Sequence, residues 1–177
     1  MASPILLISK ADFVDWKNLS INIDAIKDLN TYIAEAQEFD LQPVLGAYFF
    51  REFQQAFAQV SPPQKFTDLL NGVTYTDATG NEFEFKGVKV VLIYYVYVRL
   101  LVVNGVKSTY SGFVQKTLEN SERISDKQRA EMVNQTKSGA KKFENDMLKF
   151  IADHKTDYPL YKGGIIKNSG TVKITAI

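Results

Sequence analysis

Hydrophobic positions along this chain recur with two different periods, and each change of period marks a new element. One stretch is apolar almost throughout. From Val88 to Val103 only Lys89 and Arg99 are charged, and Tyr94, Tyr95 and Tyr97 sit in the middle. Eight of the sixteen residues are β-branched, which favours a strand. A strand of that length would be unusual, whereas buried helices of that length are ordinary. The run is also short for a membrane span, which takes about 18–20 uninterrupted apolar residues, and it carries Arg99. Bounded by Gly87 and Gly105, it reads as a helix that is apolar nearly all round and covered on most sides by protein.

Upstream, Ile26, Leu29, Tyr32, Ile33 and Ala36 form one helical stripe, with Asn22 or Asp24 as the N-cap. Before it, Phe13, Val14 and Trp16 are expected to fold back onto the core as a short irregular segment. A turn is expected around Asp40, after which Pro43 suits the first position of a second helix. Its stripe is Leu45, Tyr48, Phe49, Phe53 and Phe57. Phe50 falls off that stripe, so this helix is expected to bury two faces. Ser61-Pro62-Pro63 closes it, and Phe66, Leu69 and Leu70 make a short helix stopped at Asn71-Gly72. The period then switches to two. Val73–Thr76 and Glu82–Phe85 alternate around the turn formers of 77–81, which predicts a β-hairpin that is marginal unless it packs on something.

Downstream of the central helix, Ser108 to Thr117 is polar and rich in Ser and Thr, and reads as extended or irregular. Ser125 with Gln128 makes a capping box that opens the last helix. There Val133, Ala140, Met147 and His154 recur every seventh residue, with Thr136, Phe143 and Phe150 interleaved, a stripe suited to packing along another helix. Gly139 interrupts it, marking either a close approach by a partner backbone or a bend. Tyr158-Pro159 is expected to end the helix. After Gly163-Gly164 the residues Thr171–Ile177 alternate like a strand and need a sheet edge, supplied by the hairpin or by a neighbouring molecule. The expected fold class is therefore mainly α: a helical bundle around the central apolar helix (about 87–104), with a small hairpin (about 73–85). A helical domain spans 1–162, and 163–177 is an extended C-terminal tail, an interaction arm.

Composition narrows the chemistry. At 177 residues the chain is most simply one domain, long enough to bury a core without metal or disulfide. It has no cysteine and one histidine, so thiolate chemistry is excluded and His154 is the only candidate imidazole. His154 reads as a helix-end or interface histidine, favoured by the C-terminal dipole. Net charge is +1, which indicates no bulk attraction to nucleic acid or to an anionic membrane. Residues 1–136 hold 13 Lys/Arg against 16 Asp/Glu, and 137–177 hold 8 against 4, so the two parts carry −3 and +4. The start, MASPILLISKADF, has a four-residue apolar run with no basic residue before it and does not read as a secretory signal. Glu82 and Glu84 share a strand face and read as solvated. Lys137, Lys141 and Lys142 read as a solvated helix side, because no aromatics interleave with them. No phosphate-binding glycine loop is present. No catalytic, cofactor-binding or metal-binding residues are assigned, and no cofactor is expected. Tyr94, Tyr95 and Tyr97 cannot all point one way on a helix. They are either core residues with wet tips or, with Arg99, part of a subunit interface, where Tyr and Arg are enriched.

One ordered set of short patterns is more specific than any single motif. It runs from Leu45-Gly46 in an early helix to a hairpin and Gly87-Val88-Lys89 entering the Tyr-rich helix. Ser108-Thr109, Gly112, Val114 and Lys116 follow, then Ser121-Glu122 and Ser125, a long helix with Ala140 and Phe143, and Tyr158-Pro159-Leu160-Tyr161. Over residues 20 to 162 this order resembles virion proteins of crAss-like and related Bacteroidota tailed phages, which are similar to head–tail connector (adaptor) proteins. The resemblance implies a non-enzymatic, mostly helical subunit in a dodecamer-like homo-oligomeric ring. Its partners would be other copies, the portal protein and neighbouring tail or connector proteins, with DNA only as passing cargo and no membrane. The location would be the virion's head–tail junction, after synthesis in the host bacterial cytoplasm. Tyr94, Tyr95, Tyr97 and Arg99, together with Val172, Ile174 and Ile177 of the tail, are the candidate interface residues. The alternative, from another class, is a monomeric or dimeric helical protein-binding module, a regulator or chaperone-like adaptor.

Overall fold

The apolar stretch is a helix at the centre of the molecule. A computed structural model describes residues 5–17, 26–77, 79–103, 106–109, 112–115 and 125–163. The protein is mainly α-helical with a small β-hairpin. A 3-10 turn (Lys10–Phe13) precedes α1 (Ile26–Ala36), which runs through a π-helical segment (Gln37–Leu41) into α2 (Gln42–Leu45). Then come α3 (Ala47–Ala56), α4 (Gln64–Asn71), β1 (Val73–Thr76), β2 (Glu82–Phe85), α5 (Val88–Val103), β3 (Val106–Thr109), β4 (Gly112–Gln115) and α6 (Asp126–Asp153). Among the described residues no helix is long and apolar enough to cross a membrane.

The all-round apolarity of α5 follows from what covers it. α1, α4, the 3-10 turn and, most extensively, α6 pack against it. Val88, Val90, Val91, Leu92, Ile93 and Val96 are all buried. Helix α6 lies antiparallel to α5: Phe85 just before α5 stacks on Phe150, Tyr94 packs on Phe143, and Tyr95 reaches Glu144. Continuing that pairing sets the end of α5 level with 132–136 of α6, where Thr136 is the first buried residue of that helix. Helix α6 has 28 residues, about 42 Å at about 1.5 Å each, and its first turns, 126–131, continue past the end of α5. Residues 126–135 are exposed, apart from half-buried Arg129 and Val133. Ser125 caps the helix through the expected box with Gln128.

Two expectations about the early helices need correction. No turn forms at Asp40. The helix widens by a π turn and continues, because the ring of Pro43 would collide with the carbonyl of Phe39 in a regular α-helix. The break comes at Gly46, whose φ of 81° and ψ of 143° suit glycine alone. That bend rotates α3, so Phe49, Phe50, Phe53 and Ala56 are buried on two faces as expected. Tyr48, placed on the stripe by its spacing, instead points out and is 85% exposed.

The first hairpin has the expected strands, with Val73 opposite Phe85 and Thr76 opposite Glu82. Its base is closed by two glycines, Gly72 (φ 91°) and Gly87 (φ 87°), whose backbones cross so closely that a Cβ on Gly72 would strike the main chain of 85–87 and one on Gly87 the main chain of 70–72. It packs on α6: the Tyr75 ring meets Phe150 at 5.2 Å and His154 at 4.9 Å. The segment expected to be extended or irregular after α5 pairs with itself as a second hairpin, Val106 opposite Gln115 and Thr109 opposite Gly112. Helix α6 stops at Asp153, ahead of Tyr158-Pro159, and 154–157 form a turn that returns the buried Tyr158 ring to Phe49 and Phe66. Its hydroxyl donates to the Lys65 carbonyl at 2.7 Å. The N-terminal segment is held by Gln37, a buried residue that spacing did not single out. Its side chain accepts from the Leu7 amide at 2.7 Å and donates to the Ile5 carbonyl at 2.9 Å, as a strand backbone would. Phe13 is buried as expected, Trp16 packs edge-on against Phe143, and Val14 is exposed. The strand-like tail Thr171–Ile177, with Val172, Ile174 and Ile177, lies outside the described residues.

Candidate functional site

Where α1 and its π turn, α5 and α6 meet, they leave an open groove of about 470 Å³. Val98, Val102 and Ala140 are part of its apolar lining, and its charged lining is Glu35 and Asp40, Arg99 of α5, and Lys137, Lys141 and Glu144 of α6. Helical spacing explains which tyrosine faces it. Tyr95 and Arg99 are four apart and share the groove side of α5, while Tyr94 and Tyr97 are three apart on another side.

Arg99 organises the groove. Its Nε donates to Asp40 Oδ2 at 2.9 Å, Nη2 lies 2.8 Å from the same oxygen, and Nη1 donates to Glu35 Oε2 at 3.1 Å. The guanidinium also lies 5.7 Å from the ring centre of Phe39, which is 68% exposed. Burial pushes the Asp40 carboxyl above its ordinary value, with Glu35 adding to the rise and Arg99 only partly offsetting it. Tyr95 donates its hydroxyl to Glu144 Oε2 at 2.8 Å. Burial first, then the facing Glu144 carboxylate, hold that phenol protonated well beyond its usual range. Glu144 also pairs with Lys141, and Lys142 pairs with Asp146 at 2.9 Å.

On the other side, the Tyr94 ring lies against Gly139, where a Cβ would come 2.5 Å from Cε1. The close approach expected at Gly139 is thus made by a ring. Lys17 Nζ sits 4.4 Å from the Tyr94 centroid and 5.0 Å from that of Tyr97. All four candidate residues of α5 therefore make contacts inside the subunit. Sequence reasoning missed Glu35, Asp40 and Glu144, which lie 49 to 64 residues from their partners, beyond any spacing rule.

The remaining candidates are placed as follows. His154 is the C-cap of α6, with Nδ1 2.9 Å from the Phe150 carbonyl oxygen. Glu82 and Glu84 are exposed on β2, and Glu84 pairs with Lys86. Among the described residues no three His, Asp or Glu side chains gather as metal ligands do. Chemically the groove offers paired charges and hydrogen bonds rather than a nucleophile with a base. Its bonds tie α5 to α1, to the π turn and to α6.

Fold and groove together define a helical domain stiffened by ion pairs, with one long helix projecting from it. By sequence the chain belongs to a family of unknown function, DUF6712, whose model matches residues 41–169. No curated protein and no solved structure matches it.

Proposed function

We propose that this protein is a non-enzymatic structural component of a tailed-phage virion, a ring-forming head–tail connector between portal and tail. The observation that carries the proposal is the start of α6, whose first turns run past the end of α5 and whose residues 126–135 are exposed apart from half-buried Arg129 and Val133. A helix end with little packing beneath it is marginal in a lone domain and useful in one whose neighbours complete it. The ordered patterns that resemble the phage connector proteins supply the assignment to the virion. In that setting its partners are other copies of itself, the portal and adjoining tail proteins, and DNA passes through the ring. The groove's paired charges hold α1, α5 and α6 as one rigid block, as a load-transmitting subunit requires.

The test is electron microscopy of the purified chain, alone and mixed with portal. Rings, or a collar of density on the portal, are expected. A chain that stays monomeric at high concentration and ignores portal would overturn the proposal.

A further inference from the structure

The first hairpin is two-stranded, and among the described residues no strand lies on the outer side of β2. The direction of its backbone groups follows from the register. The Asp77 amide bonds the Asn81 carbonyl at 2.9 Å, and bonded pairs alternate along an antiparallel ladder. Positions 75–83 and 73–85 are therefore bonded pairs, while the amides and carbonyls of Glu82 and Glu84 turn outward, away from β1. These two residues also carry exposed carboxylates on the solvent face. On the opposite face Phe83 is half-buried and Phe85 buried. An open edge with an acidic outer face and an aromatic inner face is a template for a strand of matching pattern.

The chain contains one. In Thr171–Ile177 the residues Thr171, Lys173 and Thr175 alternate with Val172, Ile174 and Ala176. Seated beside β2, Lys173 falls against Glu82 and Glu84, an opposite-charge cross-strand pairing. Val172 and Ile174 then extend the apolar face of Phe83 and Phe85. The other edge of the hairpin turns out Thr74 and Thr76, which offer Lys173 no charge. We infer that residues 171–177 of one copy add to the β2 edge of a neighbouring copy. This rests on the assembly reading above. A ring needs two different patches on each subunit, and the acidic edge and the tail, whose residues 163–177 hold Lys167 and Lys173 and no Asp or Glu, are such a pair.

Two variants of the full chain test it. Glu84→Pro removes an outward amide without touching the β1 ladder, and deletion of 164–177 removes the donor. Circular dichroism and thermal melts first establish that each variant is folded. Each alone should lose assembly under conditions where the unaltered chain forms rings. Mixed, they should form a one-to-one pair and nothing larger by mass photometry, because the Glu84→Pro copy still donates and the truncated copy still accepts. Assembly by either variant at the level of the unaltered chain overturns the strand exchange and leaves the connector reading standing. Protection of the 171–177 amides in an isolated monomer would show that the strand is kept at home, and also overturns it. An unaltered chain that never assembles, alone or on portal, defeats the connector reading itself.

Discussion

Gly139 lies where the backbone of α6 passes under the Tyr94 ring, and two opposing effects meet there. In a helix interior alanine is favoured over glycine by about 1 kcal/mol. A Cβ at 139 would however stand 2.5 Å from Tyr94 Cε1 and 3.0 Å from Cδ1, inside van der Waals contact. The ring has little freedom to retreat, since Phe143 packs against it with centroids 5.2 Å apart. Overpacking of this kind costs about 1–3 kcal/mol, so the clash should outweigh the propensity gain. Gly139→Ala is expected to lower stability, read as a lower urea midpoint. In a Tyr94→Ala background the obstacle is gone, and the same Gly139→Ala change should raise the midpoint instead. If the sign is the same in both backgrounds, the glycine is not there for the ring.

At the scale of elements, the hairpin and α6 are joined by a small network of opposite charges. Lys149 Nζ lies 2.6 Å from Asp153 Oδ2 and 3.4 Å from Asp77 Oδ2, and the Tyr75 hydroxyl donates to Asp153 at 2.8 Å. Hydrogen bonds from Thr79 and the Asn81 amide pull Asp77 down to about 2, and Lys149 and then Tyr75 hold Asp153 below its ordinary value of 3.8. Groups depressed in the folded state stabilise it above their unfolded pKa, near 4, and that contribution is lost as pH falls toward 2. Burial, and then the Asp153 carboxylate, push Tyr75 up to about 12, so its contribution is lost as pH rises from about 10 through 12. Urea midpoints should therefore fall at both ends. Asp153→Asn should flatten the acid limb and Tyr75→Phe the alkaline one. An alkaline limb unchanged in Tyr75→Phe would mean that this phenol does not carry it.

The same network shows what could be read from the chain. The hairpin, the apolar helix and the Ser125 box are local patterns, and each appears where its spacing put it. The bend at Gly46 was hidden because Asp40 and Pro43 resemble a turn and helix start, while the π turn lets the helix pass through them. Tyr48 was misplaced by the same error, since a stripe counted across a hidden bend points the wrong way. The partners of Arg99 and Tyr75 could not be read at all, because they are set by how whole elements pack.

For the whole molecule the telling feature is that α6 belongs to two environments. From Thr136 onward it is clamped by α5 and the hairpin, with Ala140, Met147, Phe150 and Ile151 buried. From 126 to 135 no residue is buried, and the side-chain bonds the segment makes are local ones, such as the Gln128 side chain in the Ser125 box and the Met132 carbonyl accepting from Thr136 at 2.8 Å. Short isolated helical segments are marginal in water, so this end should open locally while the rest stays shut. Amide exchange in the unassembled chain should be at least about a hundredfold faster at 130–135 than at 141–150. The comparison leaves out the first four amides of the helix, which lack intrahelical acceptors in any case. If subunits meet at the arm as proposed, exchange at 130–135 should slow in rings or on portal while 141–150 hardly changes. If assembly leaves 130–135 as fast as in the free chain, the arm is not where subunits meet, and the connector proposal loses the observation that carries it.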